Sequence, residues 1–126
     1  MVGEVEIGTA SDKLVKEKIS EDVAQDHARL LGTVGQCLAE IGFRSSLTTF
    51  HNLVLYGETF HLPSWYEPEL DIFWADEDRP GIALRVKLTE RGGKSFYCWG
   101  VSWAQSHPAS DPVGAVSVIA DAITVA

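Results

Sequence analysis

A pair of adjacent glycines between two alternating runs of apolar residues constrains the fold of this chain more than any other feature. The runs are residues 82–88 and 96–103, and Gly92-Gly93 lies between them. This arrangement is typical of a β-hairpin with a two-residue turn, which would pair Arg91 with Lys94. Because side chains alternate along a strand, this register places four apolar pairs on one face. These pairs are Leu88 with Tyr97, Val86 with Trp99, Leu84 with Val101, and Ile82 with Trp103.

Residues 70–75 predict a third strand, which pairs with the first strand of this hairpin. Pairing Trp74 with Ile82 places large apolar side chains on the core face, whereas a slip of one residue would bury Asp71 instead. Those side chains are Leu70, Ile72 and Trp74. The chosen register also places Asp71 opposite Arg85, which predicts a cross-strand ion pair. The strands of this antiparallel meander then share one apolar face.

An amphipathic helix is predicted over residues 21–41. Ser20 precedes two acidic residues and is suited to cap the start of the helix. Gly42 can adopt the left-handed conformation in which many helices end. His27 lies on the apolar arc of the helical wheel, so we expect a packed histidine there rather than a metal ligand.

Small residues form a line along this helix, beside its apolar arc. This small-residue line consists of Ala28, Gly32, Gly35 and Ala39. A glycine inside a helix costs about 1 kcal/mol relative to alanine, so Gly32 and Gly35 suggest that another element approaches the helix closely. We expect a second packing surface here, against another helix or a partner subunit. The alternative is that both glycines are tolerated on an exposed edge.

Residues 45–56 are rich in β-branched and aromatic side chains and predict a further strand, with a bulge at His51-Asn52. Residues 57–68 contain Pro63 and Pro68 and are predicted to form an irregular loop. Aromatic side chains on loops are frequent hot spots at protein interfaces, so the aromatic residues of this loop are candidate binding residues. They are Phe60, Trp65 and Tyr66. The alternative is that they fold back over the sheet edge.

Asp111-Pro112 is typical of a helix start, with a capping aspartate before a proline at the first helical position. The helix is predicted over residues 113–126, and Asp121 is its only charged residue, so most of its surface should be covered. Its predicted apolar face carries Val113, Val116, Ile119, Ala120 and Ile123.

The order of these elements predicts an α+β fold. In this two-layer sandwich, the N-terminal and C-terminal helices pack on one face of an antiparallel sheet of about four strands. We expect residues 1–126 to form a single domain with a loose tail at residues 1–11. Residues 12–19 are expected either to form a short separate helix or to extend the first one.

The net charge of −8 disfavours nucleic acid and anionic membranes as partners, since both attract basic surfaces. It suits a basic protein partner instead. Residues 45–78 contain no lysine or arginine, whereas basic residues are frequent in residues 79–94. No apolar run reaches membrane length, and residues 1–6 lack the basic start and apolar stretch typical of a secretory signal, so we expect a cytoplasmic protein. Cys37 and Cys98 are therefore expected to be reduced and structural.

The histidines and cysteines match no zinc spacing, and Pro80 occupies a ligand position of the calcium loop that residues 76–81 faintly resemble. We therefore expect no metal and no cofactor. His51, Glu58 and His61 lie near the predicted aromatic loop, where a carboxylate and two imidazoles could form an acid–base pocket.

Two functional hypotheses follow. The first is a small acidic, non-catalytic protein-interaction or accessory module that acts on a protein partner or as a homodimer. In size, charge and layout such a module resembles secretion chaperones and toxin-immunity proteins, without sharing a motif with them. The alternative is a small enzyme or small-molecule binder that uses His51, Glu58 and His61.

Overall fold

The computed structural model describes residues 18–56, 59–76 and 78–124, including all of their side chains except those of residues 51–64. The elements are β1 (Lys18–Ile19), α1 (Glu21–Glu40), β2 (Ser45–Tyr56), β3 (Thr59–Phe73), β4 (Ile82–Arg91), β5 (Lys94–Trp99), a 3-10 turn (Val101–Trp103), β6 (Gln105–Pro108) and α2 (Pro112–Thr124). In the described part of the chain the sheet is antiparallel with six strands, and α1 packs against it. The predicted α+β fold is confirmed, with more strands than the expected four.

Strand β3 is the centre of the sheet. β2 pairs along one of its edges, while β1 and β4 follow one another along the other edge. β5 then pairs with β4, and β6 with β5. Within the described residues, β2 therefore forms one margin of the sheet and β6 forms the opposite margin. Lys18–Ile19 belongs to β1, so a helix that extends to residue 19 is wrong, and residues 1–17 lie outside the described residues.

The central registers are those that the sequence predicts. Arg91 pairs with Lys94 and Leu88 with Tyr97, while Gly92 and Gly93 both have positive φ, as the tight turn requires. Asp71 pairs with Arg85, and their side chains form an ion pair of 2.7 Å. Further ion pairs join β4 to β3, from Arg85 to Glu69 and from Lys87 to Glu67. The acidic residues of β3 thus lie beside the basic residues of β4, although the two groups are separate in the sequence.

The hairpin is shorter than predicted. β5 ends at Trp99, so the expected pairs of Leu84 with Val101 and of Ile82 with Trp103 are wrong. The strand stops because the chain enters left-handed backbone, with φ values of 88° at Gly100, 55° at Ser102 and 57° at Trp103. Val101 is consequently 90% exposed. The Trp103 ring lies 4.6 Å from Lys87 Nζ, on the face opposite the core.

The predicted pairing of Trp74 with Ile82 is also wrong. A register shift after Ile72 pairs Phe73 with Ile82 instead. Trp74 then lies beyond the strand, where the Arg79 guanidinium stacks 3.6 Å from its ring centroid. Ile82, expected in the core, is 43% exposed.

Residues 59–68 are not a loop but the first part of β3. Two bulges make this possible, because at each one two β3 residues lie opposite one β2 residue. Pro63 falls in the bulge opposite Leu53, and Pro68 in the bulge opposite Thr49. Proline has no N–H to donate, so a bulge tolerates it where a regular ladder would not. The bulge predicted at His51-Asn52 is displaced to these flanking positions.

Both helix starts follow the predicted capping pattern. Ser20 Oγ accepts a hydrogen bond from Val23 N, and α1 ends in a left-handed Gly42 with a bond from Phe43 N to the Leu38 carbonyl. Asp111 caps α2. The buried core between the layers consists of Leu31, Val34, Leu38, Leu70, Ile72, Val86, Leu88, Tyr97, Trp99, Ala109, Ala115, Val116, Ile119 and Ile123.

Val113 does not face this core, contrary to prediction, and is 71% exposed. The buried face of α2 is centred on Ile119 and includes Ala115. At about 100° per residue, Val113 lies roughly a third of a turn from the centre of that face. Val118 is also exposed, so α2 is less completely covered than its composition suggests.

Candidate functional site

The small-residue line lies on the flank of α1 that faces the β2 margin. A Cβ atom at Gly35 would meet Ser45 Oγ at 3.0 Å and Leu70 Cδ1 at 3.4 Å, so β2 and β3 approach the helix closely there. A Cβ at Gly32 would meet no atom of the described residues within 4 Å. The expected close approach therefore exists within the chain at Gly35, while the line beside Gly32 faces open space.

A shallow groove continues from this line toward the end of the helix. It is lined by Gly35, Ala39, Phe43, Arg44, Ser45 and Phe73. Because its helical wall is made of glycine and alanine, α1 does not cover the sheet edge beneath it. Leu47, on β2, is 40% exposed, although it pairs with the fully covered Leu70. The core-facing side of the β2 margin is thus partly open.

The outer edge of β2 presents backbone hydrogen-bonding groups. Phe73 N donates to the Arg44 carbonyl at 2.9 Å, and Ser45 pairs with Ile72. In an antiparallel ladder, successive residues alternate between pointing toward the partner strand and away from it. Ser45 and Leu47 therefore direct their N–H and C=O groups away from β3. In the described part of the chain no further strand pairs with this edge.

We call this region the α1–β2 margin: the outer edge of β2 at Ser45 and Leu47, together with the adjoining groove. No aspartate, glutamate, lysine or arginine occurs from Ser45 to Tyr56. Sequence reasoning found the small-residue line but not the open edge beside it. The lack of charge in this strand gave no indication of an open edge, since natural edge strands usually carry protective charges or prolines.

The predicted aromatic site lies elsewhere on the sheet. Trp65 and Tyr66 are half-buried in β3, paired on one side with β2 and on the other with β1. They are therefore strand residues within the sheet, and the premise of an aromatic loop is wrong. Phe60 pairs with Leu55, and its side chain lies outside the described residues. A binding role for these aromatic residues stays a prediction.

The predicted acid–base pocket is only partly described. His51 pairs with Trp65, and His61 pairs with Val54. At about 3.4 Å per residue, these positions lie roughly 10 Å apart along the ladder. Their side chains and Glu58 lie outside the described residues, so this pocket also stays a prediction.

His27 is packed, as predicted, with only 4% of its surface exposed. Its Nε2 lies 3.9 Å from Glu90 Oε2 at the end of β4. Its Nδ1 is buried without a hydrogen-bond partner among the described residues. The side chain thus contributes mainly packing between α1 and the sheet.

A histidine–aspartate pair, which the sequence reasoning missed, lies at the start of α2. His107 Nε2 is 2.9 Å from Asp111 Oδ2, and Gly114 N donates to Asp111 Oδ1 at 3.1 Å. The hydrogen bond with His107, followed by that from Gly114, lowers the pKa of the Asp111 carboxyl group. No helical spacing indicates this pair, because both residues precede α2 and the turn between β6 and α2 brings them together. Capping accounts for this pair.

Two neighbouring ionisable side chains of β5, those of Tyr97 and Cys98, are buried. Burial raises the pKa of Tyr97 to about 12, and its hydroxyl donates to the Leu30 carbonyl at 3.0 Å. Burial likewise raises the pKa of the Cys98 thiol. Since the thiolate is the reactive form, Cys98 is suited to packing rather than to nucleophilic chemistry. Cys37 and Cys98 are not bonded to each other.

Comparison of the chain with protein-family models, curated proteins and solved structures gave no match. Among the described residues, no helix is long and apolar enough to cross a membrane. In the same part of the chain, no group of three or more His, Cys, Asp or Glu side chains could hold a metal ion. The function must therefore be argued from the surface itself.

Proposed function

We propose that this protein is a non-catalytic protein-interaction module whose partner binds at the α1–β2 margin. The observation that carries the proposal is an uncharged strand edge with outward backbone groups, next to a groove that small helical residues leave uncovered. Its setting is a reducing, cytoplasmic compartment, which the unbonded Cys37 and Cys98 support.

An exposed sheet edge binds an extended segment of another chain by adding a strand. The main-chain hydrogen bonds supply affinity, and side-chain pockets beside the edge supply specificity. At the margin, Ser45 and Leu47 would supply the hydrogen bonds. The groove between Phe43 and Phe73 would accept an apolar side chain of the added strand.

Charge favours the α1–β2 margin over the acidic residues 67–71 of β3 as the binding surface. Glu67, Glu69 and Asp71 already pair with Lys87 or Arg85 on the neighbouring strand. Their charges are therefore largely balanced within the chain. The margin, by contrast, offers backbone and apolar groups, and Arg44 is the one charged residue among the described residues that line its groove. Recognition there does not depend on a strongly basic partner.

The proposal is tested by capture with the tagged protein from its native lysate, read by mass spectrometry. Leu47→Lys puts a charge at the open edge, where we expect it to abolish capture. Val118→Lys is the matched control, because Val118 is 44% exposed on α2, close to the 40% of Leu47. We expect the control to capture the same polypeptide as the unmodified protein.

Two results would contradict the proposal. One is failure to capture any polypeptide, including untagged copies of this chain. The other is capture that survives Leu47→Lys but is lost with Trp65→Ala, which would favour the aromatic residues of β3 as the binding surface.

A further inference from the structure

We propose that the occupant of the α1–β2 margin is a second copy of this chain, which adds its own β2 to the edge in antiparallel orientation. The inference rests on the proposed function of this margin, and it names the partner. The result is a continuous sheet that crosses a two-fold axis between two identical β2 strands. Such an interface is isologous, so each copy offers the same groups to the other.

The first reason is that the charge of the chain leaves this margin as a place where two copies can meet. Each chain carries a net charge of −8, so two copies repel one another over most of their surfaces. Close association then requires a contact that is free of acidic side chains. β2 contains no charged residue over its 12 residues, so placing it opposite itself brings no like charges together.

The geometry of β2 is the second reason. Long open edges invite strand addition, and proteins usually protect them with lysine, proline or bulges. β2 contains no lysine and no proline, and both bulges of the β2–β3 pair place their extra residue on β3. Ser45 and Leu47 therefore keep a regular spacing of outward N–H and C=O groups, which suits an antiparallel partner.

The small-residue line is the third reason. A two-fold axis perpendicular to the sheet keeps both α1 helices on the same face of the extended sheet. Their small-residue lines would then face one another across the axis, above the two β2 strands. Gly32, which has open space beside it, leaves room for the side chains of the added strand. Binding of a second copy would thus account both for Gly32 in the helix and for the uncharged edge of β2.

The test is the molar mass in solution, measured by light scattering and sedimentation equilibrium over a range of concentrations. We expect the unmodified chain to have about twice its monomer mass of 13.8 kDa. Leu47→Lys would bring two positive charges together across the axis, so we expect its dimer dissociation constant to rise about a hundredfold. Val118→Lys should leave the dimer unchanged.

Gly32→Glu keeps the inference testable if Leu47→Lys fails to fold, as circular dichroism would show. A Cβ atom at position 32 would meet no atom of the described residues within 4 Å, and glutamate favours a helix more than glycine does. The variant should therefore fold at least as well as the unmodified chain, while its two carboxylates repel across the axis. We expect a folded monomer.

A 13.8 kDa monomer at every concentration would overturn the inference, as would a dimer that survives both Leu47→Lys and Gly32→Glu. The capture experiment separates this failure from that of the proposed function. If the monomer captures a different polypeptide in a Leu47-dependent way, the second copy is the wrong partner but the margin is still a binding surface. If nothing is captured either, both proposals fail.

Discussion

Two glycines of α1, three residues apart, should respond differently to the same substitution. Replacing glycine by alanine inside a helix stabilises it by about 1 kcal/mol, mainly because the unfolded chain loses conformational freedom. At Gly32 a Cβ would meet nothing within 4 Å in the part of the chain that the structure describes, so that gain should be realised in full. Gly32→Ala should therefore raise the free energy of unfolding by about 1 kcal/mol.

At Gly35 the same gain is opposed by two close contacts. The new Cβ would lie 3.0 Å from Ser45 Oγ and 3.4 Å from Leu70 Cδ1. The hydroxyl group can rotate away, but Leu70 is 1% exposed and packed in the core. Overpacking of this kind costs roughly 1–3 kcal/mol, so Gly35→Ala should be neutral or destabilising by up to about 2 kcal/mol.

Urea denaturation of both variants measures the difference. Each midpoint should move at unchanged slope, because neither substitution alters the surface exposed on unfolding. For a chain of this size, 1 kcal/mol corresponds to about 3–5 °C in the melting temperature. Measurements at several protein concentrations separate monomer stability from any effect of association. Equal stabilisation by Gly35→Ala and Gly32→Ala would refute the close approach of β2 and β3 to α1.

Three further predictions concern α2 and the core. Gly114→Ala should lower the melting temperature despite its helical gain, because a Cβ there would overlap the Asp111–His107 pair; an increase would contradict this. Folding lowers the pKa of the Asp111 carboxyl group. The ionised Asp111 should therefore stabilise the folded state fully above the ordinary carboxyl pKa, and this stabilisation should be lost as the pH falls through the lowered pKa. When the melting temperature is measured against pH, Asp111→Asn should reduce the loss of stability at acid pH. Since burial raises the pKa of Tyr97 to about 12, its contribution should be lost as the pH rises from about 10 to 12. Tyr97→Phe should reduce the loss of stability at alkaline pH. At neutral pH it removes the hydrogen bond to Leu30, so denaturant melts should show a free energy of unfolding lower by about 1 kcal/mol.

The elements that sequence reasoning predicted correctly are those with one dominant local signal. Gly92-Gly93 defines the hairpin turn, and burial of Asp71 excludes the neighbouring register of β3 and β4. Ser20 and Gly42 mark the two ends of α1 through their own hydrogen-bonding and conformational preferences. In each case a wrong assignment would have carried a large local penalty, so the pattern had one physical solution.

The errors occur where tertiary structure overrides a local pattern. Alternation continues through Gly100 to Trp103, but the chain turns there because β6 must return to pair with β5. Pro63 and Pro68 indicate a loop by composition, yet bulges allow β3 to include both. The open edge of β2 could not be recognised before the strand order was known, because any strand can be central or marginal by sequence alone.

The hydrogen bond from Tyr97 to the Leu30 carbonyl joins residues 67 positions apart in the chain, which bears on the order of folding. Closing so long a loop costs entropy before its contacts form, whereas the β4–β5 hairpin closes through two residues. We therefore expect the hairpin to form early and α1 to dock late. Interactions that form after the transition state mainly slow unfolding. This hydrogen bond should therefore lower the unfolding rate and prolong the lifetime of the folded state.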